Sequence, residues 1–84
     1  MNAGDNLAVC LLMSKQPVCS GLDAVRTFRR IGYEVDHQTG SHIILRNPQG
    51  RRLTVPNHRE IAKGTLRALI REAGLTKDEF GELL

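Results

Sequence analysis

The sequence predicts an α+β domain of two layers: a helix, a three-stranded antiparallel meander and a second helix, with both helices on one face of the sheet. Three observations carry the prediction. Apolar residues recur at helical spacing over residues 22–31 and again over 61–73. They alternate with polar ones, or sit in β-branched runs, over 33–37, 42–46 and 51–55. Glycine- and proline-bearing turns separate the segments. Two amphipathic helices suffice to cover one face of such a sheet, and 84 residues leave room for one core only.

The elements follow in order. Residues 1–14 carry almost no charge, no turn chemistry and no sustained period, and are expected to form a poorly ordered extension ahead of a single domain over 15–84. The apolar run at 7–13 is far short of the roughly 20 residues of a membrane span. Order begins at Ser20, which with Asp23 three residues on resembles a capping box. Leu22, Val25, Phe28 and Ile31 form the apolar stripe of the first helix, Arg26, Arg29 and Arg30 lie off it, and Gly32 closes it.

The first strand, 33–37, places Tyr33, Val35 and His37 on one face and Glu34 and Asp36 on the other. Residues 38–41 are read as a turn in which Gly40 takes positive φ. The second strand, 42–46, opposes Ile43 and Leu45 to His42, Ile44 and Arg46. A turn at 47–50 leads to the third strand, 51–55, which Pro56 stops. After a short loop the second helix runs from Ile61, with Leu66, Leu69, Ile70 and Ala73 on its buried side. Gly74 and Leu75 end it in the Schellman manner. Thr76 and Glu79 then form a second capping box, which predicts a short C-terminal helix. This order matches the double-stranded-RNA-binding-domain architecture.

Charge narrows the functional classes. The chain carries nine arginines and three lysines, and residues 15–72 hold eleven of these cations against five carboxylates, a net of +6. Such a stretch suits a polyanion, and arginine's planar fork suits phosphate; a solvated surface is the bland alternative. With one Tyr, two Phe and no Trp, the chain has no row of platforms for stacking single-stranded bases. It is also too short for a large cofactor enzyme. Cys10 and Cys19 make neither a disulfide framework nor a metal spacing, and a reduced, cytoplasmic chain is expected.

Four short motifs then stand in one order: Gly40-Ser41-His42, Leu53-Thr54-Val55-Pro56, Ile61-Ala62-Lys63-Gly64-Thr65-Leu66 and Ala73-Gly74-Leu75. Together they resemble the HicA toxin family, over roughly residues 17–80. The resemblance implies a metal-independent, cofactor-free endoribonuclease toxin that cleaves mRNA, with a HicB-type antitoxin as protein partner. It implies that His42, in the position of the family's G-S-H motif, is the catalytic histidine. Ile43 departs from the polar or aromatic residue that many members carry there.

The chemistry agrees with such a role. RNA carries its own nucleophile, the 2′-hydroxyl, so cleavage needs proton transfer and charge stabilisation rather than a metal. His42 is the candidate for proton transfer; an ordinary strand histidine is the alternative. Gly40 and Ser41 let the substrate backbone approach. Lys63, Gly64 and Thr65, at the start of the second helix, are candidate phosphate contacts through free N–H groups and charge. Arg46 and Arg67 are candidate phosphate contacts, and Arg51, Arg52 and Arg71 could share that role. His37 and His58 are read as surface or turn residues; a metal site made of the two with His42 is conceivable but has no spacing signature. The rival reading is a non-catalytic RNA-binding module on the same fold. A protein-interaction remnant without activity is a third.

Overall fold

A computed structural model describes residues 17–84. The expected extension over 1–14 lies outside the described residues. The elements are α1 (Gly21–Arg29), β1 (Glu34–Thr39), β2 (His42–Arg46), β3 (Arg52–Pro56), α2 (Lys63–Glu72) and α3 (Lys77–Leu83). The strands form one antiparallel sheet in the order β1-β2-β3.

Alternation along the strands decides which face is covered. Ile43, Leu45, Leu53 and Val55 are buried, and they meet Ala24, Val25 and Phe28 of α1, Leu66, Leu69 and Ile70 of α2, and Phe80 of α3 in one core. Phe28 stands at its centre, with ring contacts to Tyr33 at 6.1 Å and Phe80 at 5.3 Å between centroids. Among the described residues no helix covers the opposite face of the sheet. The two-layer α-β-β-β-α order, with its short terminal helix, is the one the sequence predicts.

Local chemistry explains the boundaries. At α1 the Asp23 N–H donates to Ser20 Oγ at 3.0 Å and the Ser20 N–H returns to Asp23 Oδ2 at 3.4 Å, the reciprocal cap expected. Gly32 takes φ 104° beyond the helix end, with Tyr33 N–H to Phe28 O and Gly32 N–H to Arg29 O, both at 3.2 Å. Gly74 (φ 79°) and Leu75 terminate α2 in the same manner. Thr76 and Glu79 cap α3 reciprocally.

Five details differ from the sequence reading. Leu22, placed on the buried stripe, is 61% exposed, while Gly21, Ala24, Val25 and Phe28 of α1 are buried. β1 runs on to Thr39, so the turn before β2 is Gly40-Ser41 alone. The third strand starts at Arg52 rather than Arg51 and includes Pro56. α2 begins at Lys63, not Ile61; Ile61 is a buried loop residue whose N–H donates to Cys19 O at 3.0 Å.

The fifth concerns β1. Val35 pairs with Leu45, but His37 pairs with Ile44, the next residue along β2, so Asp36 is an extra residue in a β-bulge. Residues directly opposite in an antiparallel sheet share a face. His37 therefore lies with Ile44 on the open face, opposite to Val35, and the regular alternation expected over 33–37 does not hold.

Candidate active site

The open face of the sheet is built in cross-strand rows. Thr39, His42 and Pro56 make one row, His37, Ile44 and Thr54 the next, and Glu34, Arg46 and Arg52 the third. His42 stands in the row that closes the β1–β2 hairpin and is exposed.

That hairpin is held from both sides. Its loop has two residues, and only the first, Gly40, has positive φ (57°), the pattern of a type II′ turn that matches the twist of the flanking strands. Gln38 Nε2 donates to Gly40 O at 3.1 Å. The N–H of Asn57, just past β3, donates to Ser41 O at 2.6 Å. Behind Asn57, the Gly21 N–H donates to His58 O at 2.8 Å, which ties the start of α1 to the same corner. His42 thus projects from a fixed strand end rather than a loop.

The structure gathers Gly40, Ser41, His42 and Arg46 on one hairpin. Arg46 lies on the same face as His42, four residues or about 13 Å along the strand. Lys63, Gly64 and Thr65 form the first turn of α2, whose N-cap, Ala62, offers no side-chain hydrogen bond. The N-cap side chain thus leaves the helix start uncapped, and a helix N-terminus favours an anion. A Cβ at Gly64 would meet nothing within 4 Å, so that turn is open to a ligand. Arg67 lies one turn further and lines a depression with Ile70, Arg71, Leu75, Thr76 and Lys77, a different part of the surface from the hairpin. Arg51 Nη1 donates to the Glu72 carbonyl at 3.2 Å and so completes the end of α2.

Sequence reasoning passed over two residues of this face. His37 Nδ1 donates to Asp36 Oδ2 at 2.7 Å, and Arg46 Nη2 stands 4.0 Å from the same oxygen. The hydrogen bond from His37, aided by the charges of Arg46 and Arg52, holds the Asp36 carboxyl below its ordinary range. A signal for both residues exists in the sequence. Once Gly40-Ser41 is taken as a two-residue turn, Thr39 falls opposite His42, and counting back two puts His37 on the histidine's own face. Strict alternation along β1, which groups His37 with Tyr33 and Val35, conceals this.

Cys19 is buried against the core, and desolvation, with Asp23 nearby, pushes its thiol up to about 11, so it is no nucleophile at neutral pH. Among the described residues no three His, Cys, Asp or Glu side chains cluster as a metal site would require. None of their helices is long and apolar enough to cross a membrane.

The fold is thus that of the double-stranded-RNA-binding class, with an exposed histidine fixed on a tight hairpin of its open sheet face. The family described as HicA toxin of bacterial toxin–antitoxin matches residues 21–75. The match takes in all three strands and covers more than half of the chain, and the chain belongs to that family. A toxin of such a system has an antitoxin as its partner. A comparison with curated proteins finds no match.

Proposed function

We propose that the chain is a metal-independent endoribonuclease toxin that cleaves mRNA in the cytoplasm and is neutralised by a HicB-type antitoxin, with His42 as its general acid/base. The observation that carries the reading is the placement of His42: an exposed imidazole, fixed by a closed two-residue turn, on a sheet face that also holds Arg46 and Arg52.

Cleavage of RNA at this face proceeds by attack of the 2′-oxygen on the adjacent phosphorus. The 2′-hydroxyl loses its proton, the O2′–P bond forms, the P–O5′ bond breaks and the leaving 5′-oxygen gains a proton. The products are a 2′,3′-cyclic phosphate and a 5′-hydroxyl. His42 moves a proton in this step, since an imidazole is the side chain whose ordinary pKa lies close to neutral pH. Gly40 and Ser41 present backbone without bulk beside it. Arg46 is the proposed phosphate contact on this face, and Lys63, the amides of Gly64 and Thr65, and Arg67, on α2, are proposed contacts to further phosphates of the same RNA. An antitoxin that covers the β1–β2 hairpin silences the toxin by occupying this face.

The test compares wild type with His42→Ala on a defined RNA in the presence of a chelator. The expected result is cleavage by wild type and a loss of about 10²–10⁴-fold in the variant, with RNA affinity retained. Equal cleavage by both proteins, or RNA binding by both with no cleavage, refutes the reading and leaves a binding module.

A further inference from the structure

One imidazole leaves the chemistry half served. The step just written moves two protons, one off the 2′-oxygen and one onto the 5′-oxygen, at opposite ends of an in-line displacement. A single ring cannot stand at both ends at once. The candidates for the second group are those that share the open face with His42.

Arg46 and Arg52 stay protonated at any working pH and serve as charge, not as proton carriers. Asp36 is already engaged by His37 and Arg46. That leaves His37. Its pairing with Ile44 puts it diagonal to His42, two residues further along β2. Diagonal neighbours on one face of an antiparallel pair lie about 7–8 Å apart. Each catalytic nitrogen has to reach within about 2.6–3.2 Å of its own oxygen, and the two oxygens lie on opposite sides of phosphorus. The rings must therefore bracket a phosphate without touching, and diagonal positions do so.

The bulge supplies the orientation. Asp36, the extra residue, accepts the Nδ1–H of His37, and a carboxylate in this state only accepts. Nδ1 therefore carries a hydrogen, and in the neutral ring Nε2 holds the lone pair. A buttressing carboxylate fixes a catalytic histidine's tautomer in the same way elsewhere. The His37 side chain remains 52% exposed, so its ring is open to a ligand.

Building on the ribonuclease reading above, we infer that His37 is the second catalytic residue: its Nε2 takes the 2′-hydroxyl proton while the His42 imidazolium protonates the leaving 5′-oxygen. At the end of the step His37 is charged and His42 neutral, and exchange with water restores both. Asp36 is the positioning residue for His37. The charged and titratable groups facing His37 are Asp36 and Glu34 on its own strand, His42 and Arg46 on β2, and Arg52 on β3.

The experiment uses the full chain, with His37→Ala, His42→Ala and Asp36→Asn, each confirmed folded by thermal unfolding. Cleavage is followed against pH on an ordinary RNA dinucleotide step and on one with a bridging 5′-sulfur, whose thiolate leaves without a proton. The expected result is a bell-shaped wild-type profile and a loss of about 10²–10⁴-fold in His37→Ala, with its acid limb gone. The sulfur substrate restores His42→Ala but not His37→Ala. Asp36→Asn keeps KM and moves the acid limb. A 3′-nucleotide monophosphate shifts the ring proton resonances of both histidines.

Wild-type cleavage that His42→Ala abolishes and His37→Ala leaves unchanged, in rate and in both limbs, overturns this inference while sparing the ribonuclease reading. So does sulfur rescue of His37→Ala in place of His42→Ala, or a nucleotide that shifts His42 alone. A wild type that cuts no RNA refutes the ribonuclease reading, and this inference falls with it.

Discussion

Substituting one glycine at the start of α1 should loosen the candidate site without touching any residue proposed to act in it. A Cβ built on Gly21 would lie 2.2 Å from Pro56 O and 2.9 Å from Asn57 Cα. Both obstacles are backbone, so no rotamer change relieves them. In Gly21→Ala the two segments must separate by about 1 Å, and overpacking of this kind costs roughly 1–3 kcal/mol. For a domain of this size that lowers Tm by about 4–8 °C per kcal/mol. A fold stabilised by roughly 0.05–0.15 kcal/mol per residue withstands the loss at 25 °C.

The displaced residues are the ones that hold the hairpin. Pro56 is the cross-strand partner of His42, and Asn57 donates to Ser41 O. A misplacement near 1 Å can cost a catalytic group about 10²-fold. Gly21→Ala is therefore expected to lose both Tm and RNA cleavage while still folded. The control is Gly81→Ala in α3, where a Cβ meets nothing within 4 Å; it should gain about 0.5–1 kcal/mol from helix propensity and keep its activity. Thermal unfolding by circular dichroism and a cleavage assay at 25 °C read the two effects. An unchanged Tm in Gly21→Ala, or a lowered Tm with full cleavage, refutes the argued link between the α1 corner and the hairpin.

Two further outcomes are expected. Phe28→Ala removes a fully buried ring that touches Tyr33 and Phe80, and should cost about 3–5 kcal/mol by urea denaturation, enough to bring the domain close to unfolding. Burial holds the Cys19 thiol at about 11 against an ordinary 9.0, so between those values the unfolded chain releases a proton that the folded chain keeps; stability is full below pH 9 and falls as pH rises toward 11, and in a Cys10→Ser background a thiol reagent at pH 8 should label only after denaturant is added.

The helices and their caps were legible in the sequence because their chemistry is local. Ser20 with Asp23, and Thr76 with Glu79, are each three residues apart, and every cap found there is made by the residues that announce it. β2 was legible for the same reason: Ile43 and Leu45 face one core, and a run of five has no slack in its register. The position of His42 was legible in the Gly40-Ser41-His42 motif. The start of α2 was not. Ile61 is apolar at a helical spacing, but its N–H goes to Cys19, across the molecule, which no spacing reveals. Nor was the exposure of Leu22, which shares the helical spacing of Val25 and Phe28 but not their burial.

β1 was misread for a reason that bears on the site itself. Two constraints act on the strand from opposite ends. The Gly40-Ser41 turn, with its positive φ, sets Thr39 opposite His42 and hence His37 on the open face. At the other end Tyr33 is drawn into the core beside Phe28, and Val35, itself 48% exposed on this edge strand, pairs with the buried Leu45. Counted residue by residue, the two demands disagree by one, because Val35 and His37 have the same parity yet belong on opposite faces. A regular strand satisfies only one of them. The bulge at Asp36 satisfies both, and its cost falls on an edge strand whose outer side already faces water. Strict alternation reads a strand as if only one end set its register, and so it hid the residue that reconciles the two. That residue is also the one whose carboxylate meets His37. The same irregularity that lets Tyr33 enter the core thus turns a second imidazole toward the face that carries His42, and its carboxylate holds that ring's tautomer.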